Sequence, residues 1–152
     1  MKYIYLCLVG LLLFSSCKTA TVPTANVVYQ TTANGCIQAR CIGLGDKQQT
    51  AIEDAEKNML RTLLFRGLPG SGQETPMIST DEAQSEQNNP DYWNTMWGES
   101  KRYKTFIQAS IPVSDLQKHS KGVYSMTVDV KVNIKALRMD LEKQGLIRRF
   151  GF

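Results

Sequence analysis

The sequence predicts a single α+β domain of order β-α-(insert)-β-β-α, with two helices packed on one face of a three- to four-stranded sheet. Three observations carry this. A strand-like stretch from Gly35 to Ile42 passes through Gly43-Leu44-Gly45 into a segment of helical periodicity. Val128, Val130, Val132 and Ile134 alternate with Thr127, Asp129, Lys131 and Asn133, the pattern of a sheet with one dry and one wet face. Leu137 and Leu141 then form a helical stripe closed by Gly145. With 152 residues, 42% hydrophobic and 21% charged, the chain is one domain's worth. Its composition excludes collagen-like, wholly disordered and polytopic membrane classes.

Residues 1–16 stand outside the fold. Met1-Lys2 is a short positive start, Ile4 to Phe14 is an uncharged run of eleven residues broken only by Gly10, and Ser15-Ser16-Cys17 follows. A spanning helix needs about 20 apolar residues, so this run has the length of a secretory signal. The small residues before Cys17 resemble the lipobox of bacterial lipoproteins, although Phe14 stands where leucine is usual. That resemblance implies cleavage after Ser16 by signal peptidase II and a diacylglycerol thioether on Cys17. Removing residues 1–16 takes one lysine and no acid, so the formal charge falls from +4 to +3. Such a balance is too mild to argue for a nucleic-acid partner.

Residues 17–33 read as the lipidated cysteine and a flexible tether rich in Thr, Ala and Asn, with Val27-Val28-Tyr29 able to add a short edge strand. The domain proper is placed at residues 34–152. Cys36 and Cys41 lie five apart on the first strand, on opposite faces and about 16 Å apart, whereas a disulfide wants Cα atoms within roughly 7 Å. Two unpaired, mostly buried thiols are expected.

The first helix runs from Asp46 to Arg66, with Asp46 as N-cap and Gln49 completing a capping box. Ile52, Ala55, Met59, Leu60, Leu63 and Leu64 make its apolar face, and Gly67 and Pro69 end it. Residues 67–98 change to Gly, Ser, Gln, Glu, Asn and three prolines, read as a loop insert. Within it Asn89-Pro90 starts a short helix ended by Gly98, with Tyr92, Trp93, Met96 and Trp97 on one face. Tyr103 to Ser110 reads as a strand, Ile111 to Gly122 as a polar connection with a helical turn at Ser114 to Lys118, and Val123 to Ile134 as the clearest strand. Asn133 caps the last helix, and Leu146 to Phe152 is an apolar-basic tail.

Candidate chemistry is sparse. Gly43-Leu44-Gly45 opens like a dinucleotide fingerprint, but Gln48 occupies the third glycine's place, so a tight strand-to-helix turn explains it. Gly67-Leu68-Pro69-Gly70-Ser71-Gly72 lacks the Lys-Ser/Thr of a phosphate loop. Asp115 and His119 are flanked by Ser114 and Ser120, yet nothing resembles a nucleophile elbow. No catalytic residue, cofactor or metal site is predicted. Tyr92, Trp93, Trp97 and Arg102, with Tyr103, Phe106 and Lys104 nearby, are the candidate contacts for a partner or ligand. The competing reading lets these rings cover a sheet or helix edge, because two tryptophans are a large apolar load to leave in water. Arg138, Lys143, Arg148 and Arg149 are either contacts to anionic polymer or the solvated side of a last helix.

The stretch Ala39 to Gly45, followed by Ala51-Ile52-Glu53-Asp54-Ala55 and Leu60, resembles small bacterial lipoproteins of the LPP-twenty type and the flagellar assembly lipoproteins FlgO and FlgT. Val128 to Val132, then Ala136-Leu137-Arg138 and Leu141-Glu142, is similar to the end of such domains. The resemblance implies a structural module with no active-site residue to carry over, and the 67–98 insert departs from it. Ser-Ser-Cys-Lys with the Thr-rich tether resembles lipoproteins of the Bacteroidota.

Two functions are therefore expected in order. The first is a non-catalytic envelope lipoprotein that binds a protein partner or stabilises an assembly. The second is a lipoprotein that holds a glycan or cell-wall fragment on the aromatic insert. Lys18 in place of aspartate, and no acidic cluster after Cys17, predict an outer-membrane anchor with the domain facing the periplasm.

Overall fold

The computed structural model describes residues 27–148. The expected signal segment, the expected lipid site at Cys17 and most of the expected tether lie outside them. The chain is one α+β domain built on a five-stranded antiparallel sheet. Its elements are β1 (Val27–Ala33), β2 (Cys36–Gly45), α1 (Gln48–Phe65), α2 (Glu82–Asn88), α3 (Pro90–Trp97), a 3-10 segment (Arg102–Phe106), β3 (Ile107–Pro112), β4 (Gln117–Ser120), β5 (Val123–Asn133) and α4 (Ile134–Lys143).

The sheet order is β1-β2-β5-β3, and β4 pairs with the first part of β5. This corrects the three- to four-stranded expectation: β1 extends the Val27-Val28-Tyr29 segment read as able to add an edge strand, and β4 lies where a polar connection was expected. Residues 27–33, expected as the last part of the tether, form the edge strand β1, so the domain takes in Val27–Ala33. Asn34 and Gly35 both take positive φ, 53° and 73°, which is the two-residue turn whose twist matches paired strands. Between Ser114 and Lys118 the chain makes no helical turn and instead enters β4, which folds back on β5. The stretch expected as a strand from Tyr103 splits, because Tyr103 and Phe106 turn into the core from the 3-10 segment before β3 starts at Ile107.

Helix α1 crosses the inner face of β2 and β5. Ala51, Ala55, Met59, Leu60, Leu63 and Leu64 meet Ala39, Cys41, Met126, Val128, Val130 and Val132 in one core. Its N-cap is Lys47, one residue later than expected. The Thr50 hydroxyl accepts from the Lys47 amide and donates to the Asp46 carboxylate, so Asp46 steadies the turn from outside the helix and its carboxyl sits below the ordinary range. Beyond the end of β1, side chains of α1 serve the open edge of β2. Asp54 accepts from the Leu44 amide and the Asn58 amide donates to the Ile42 carbonyl.

The insert is not a plain loop. Leu68, Met77 and Ile78 are buried, and the amides of Met77 and Ile78 donate to the carbonyls of Leu63 and Leu64. Helices α2 and α3 follow, α2 capped by the Asp81 carboxylate on the Gln84 amide. Helix α4 brings Leu137 and Leu141 into the same core, with Asn133 accepting from the Ala136 amide and the Gly35 carbonyl accepting from Ile134 and Lys135.

Candidate functional site

The four aromatic and basic residues singled out from the sequence do come together, but as a ladder turned inward. Trp93 is only 3% exposed and donates its indole N–H to the Ser85 carbonyl at 3.1 Å. Its ring stacks on Trp97 at 5.9 Å and 13°, meets Tyr92 edge-on at 4.9 Å and touches Phe65 at 5.5 Å. Trp97 continues to Tyr103 at 6.0 Å, and the Arg61 guanidinium lies 5.2 Å from its ring. Arg102 sits over Tyr92 and pairs with Asp140 on α4, which also accepts from the Tyr92 hydroxyl at 2.9 Å. Burial raises the Tyr92 hydroxyl well above its ordinary value, with the Asp140 charge second.

These contacts join α3, α1, the 3-10 segment and α4. A cleft of about 370 Å³ lies beside the ladder, lined by Arg61, Glu86, Asn94 and the edges of both tryptophans. Trp97 is covered by Trp93 and Arg61, so the rings offer packing and not a broad open platform.

A second latch sits nearer the N-terminus of α1, next to Tyr103. Glu53 receives Lys101 at 2.9 Å and Lys104 at 3.1 Å, and buried Glu56 accepts from the Ser110 hydroxyl at 2.7 Å. The hydrogen bond from Lys101, followed by that from Gln49, holds the Glu53 carboxyl down at about 2. Burial is the chief cause that raises the Tyr103 hydroxyl, with Glu56 and Glu53 adding to it.

The outer face of the sheet was not anticipated as a site. There Arg40 grips Asp129 with two bonds of 2.7 and 2.9 Å. Gln30 donates to the same carboxylate at 3.2 Å and accepts from Gln38 at 3.0 Å. The bond from Arg40 is the main cause that lowers the Asp129 carboxyl. Around this polar centre stand Val28, 65% exposed, Ile111, 58%, and Val113, 44%. Cross-strand register puts Val28 beside Arg40 and Ile111 beside Asp129, so they share the outer face.

Cys36 and Cys41 are free and buried, as expected. Burial, with the Asp129 charge a lesser cause, pushes the Cys41 thiol up to about 12, which makes it inert as a nucleophile at neutral pH. Among the described residues no group of His, Cys, Asp and Glu could hold a metal ion, and no helix is long and apolar enough to cross a membrane. Comparison of the chain with protein families, curated proteins and solved structures finds no match.

Proposed function

We propose that the protein is a lipid-anchored, non-catalytic module of the bacterial envelope that binds a protein partner through the outer face of its sheet. The observation that carries this reading is the asymmetry of that sheet. The helices and the insert contribute to a core on one side, while Val28, Ile111 and Val113 remain in water on the other around a satisfied Arg40–Asp129 pair. A polar, bidentate centre ringed by exposed aliphatic side chains suits protein recognition, because the apolar groups gain from burial and the pair fixes register. The anchor rests on the sequence of residues 1–17, and the outer-membrane, periplasm-facing location rests on the residues after Cys17. The glycan reading is less well supported, since Trp93 and Trp97 spend their faces on each other, on Phe65 and on Arg61.

The test is site-specific photocrosslinking in the native envelope. A photoreactive residue at Val28 or Ile111 is expected to give one discrete adduct, and Ile111→Glu is expected to abolish the adduct formed from position 28. The same probe at exposed Gln87 on α2 serves as control. Equal adducts from all three positions, or none from the sheet face, would remove the proposal.

A further inference from the structure

The outer face of the sheet carries an unbalanced charge, and the strand register shows where it lies. The five strands hold Arg40, Lys118 and Lys131 against a single acid, Asp129. Asp129 is already engaged. Arg40 and Gln30 give its carboxylate three bonds, and its side chain is 13% exposed. Lys131 stands two residues further along β5, between the buried Val130 and Val132, and so points to the same outer face. Among the described residues its ammonium makes no ion pair and no hydrogen bond. Asp115, beyond Val113, is no counter-ion for it. The Val113 amide bonds the Thr127 carbonyl, four residues or about 13 Å along β5 from Lys131.

Register also brings two cations of this face together. Arg40 lies opposite Asp129 and Gln38 opposite Lys131, so Arg40 and Lys131 are diagonal neighbours across β2 and β5. Such neighbours sit about 7–8 Å apart, within the span of two long side chains. Arg40 uses Nε and Nη2 on Asp129, which turns Nη1 away from that carboxylate on a side chain 49% exposed. One further carboxylate between Arg40 and Lys131 would accept from both. Aliphatic side chains frame that point: Val28 beside Arg40, Ile111 beside Asp129, and half-buried Ile42 one row on, level with Thr127. A second copy of the chain is a poor match, because two such faces would oppose cations to cations with only the engaged Asp129 between them. These rows hold no aromatic ring of the kind that seats a surface in a bilayer interface.

We infer that the protein partner presents an acidic residue flanked by aliphatic side chains, with its carboxylate seated between Arg40 and Lys131. This rests on the outer-face reading proposed above. The test runs in the native envelope with the photoreactive residue at Val28. Lys131→Glu is expected to weaken the adduct about tenfold or more, and Lys131→Arg to keep it within about twofold. Both purified variants are expected to melt with the parent, because the Lys131 side chain holds nothing within the domain. A second measurement uses the parent alone. A carbodiimide, which condenses an amine with a carboxyl group and leaves no spacer, is expected to join Lys131 to an Asp or Glu of the photocaptured protein, read by mass spectrometry of the linked peptides. An adduct that persists in Lys131→Glu, or a Lys131 joined to no carboxyl group of the captured protein, would overturn the inference and leave the outer-face reading standing. Capture of a second copy of the chain, or of lipid alone, would overturn it as well. A parent that gives no adduct from position 28 would remove both.

Discussion

Gly43 shows how a single absent methyl sets the layer spacing. A Cβ there would lie 1.9 Å from the Ala51 carbonyl oxygen and 2.6 Å from the Ala55 nitrogen, both backbone atoms of α1. Gly45 is also too close for a Cβ, 2.5 Å from the Ala51 nitrogen. The Gly-Leu-Gly run therefore exists to let the helix lie directly on the strand, and its likeness to a nucleotide turn is incidental. Gly43→Ala is expected to destabilise by about 3 kcal/mol or more, since backbone cannot yield as a side chain can. Gly72, with no atom within 4 Å of its Cβ position, is the control, and Gly72→Ala is expected to stay within about 0.5 kcal/mol. Urea midpoints of the two variants decide it; equal stability would show that the helix can lift from the sheet. At Trp93 the expected loss on change to alanine is about 3–5 kcal/mol, because a buried indole leaves a cavity among Phe65, Tyr92 and Trp97. A variant that melts like the parent would return the ring to the surface and revive the ligand reading.

The elements differ in how openly the sequence declared them, and the reasons are physical. Helix α1 and strand β5 carry complete periodicities over 18 and 11 residues, so their type and inward faces were readable. Strand β1 was legible only as a possible edge strand at Val27-Val28-Tyr29, because Val27–Ala33 is polar after Tyr29 and mostly exposed, although Asn34-Gly35 is itself a strong hairpin signal. The outer-face site was illegible for a related reason: Arg40 and Asp129 meet across 89 residues, and only the pairing of β2 with β5 creates their contact. The 3-10 segment depends likewise on distant partners, since Lys101 and Lys104 reach back to Glu53. That latch predicts a pH response. The Glu53 carboxyl sits at about 2, below its unfolded value near 4.3, so its contribution is complete above the unfolded value and is lost as pH falls through the folded one. Glu53→Gln should therefore flatten the fall in melting temperature between about pH 4.5 and pH 2 relative to the parent. Parallel curves for the two proteins would show that the latch contributes no pH-dependent stability.

At the scale of the whole molecule, the proposed anchor would set how the folded unit is presented at a membrane. Nine residues separate Cys17 from Val27, the first residue of β1, and such a length spans at most about 35 Å. The proposed lipid would thus keep the domain within roughly its own diameter of the bilayer, and β1 would be the strand nearest the anchor in sequence. Among the described residues, the most accessible backbone for a protease is the β4–β5 hairpin, where every residue of β4 is exposed and Gly122 turns at positive φ with open space around it. Within residues 27–148, trypsin should therefore cut first at Lys118 or Lys121 and leave the pieces associated through β2, β3 and β5. Applied to intact cells, it is expected to leave the protein whole; after the outer membrane is permeabilised, the hairpin cut should appear. In parallel, Cys17→Ala should retain the signal segment, and mass spectrometry of the parent's N-terminal peptide should show acyl chains on Cys17. Cleavage at the hairpin in unpermeabilised cells would place the domain on the cell surface, and an unacylated N-terminal peptide would remove the anchor itself.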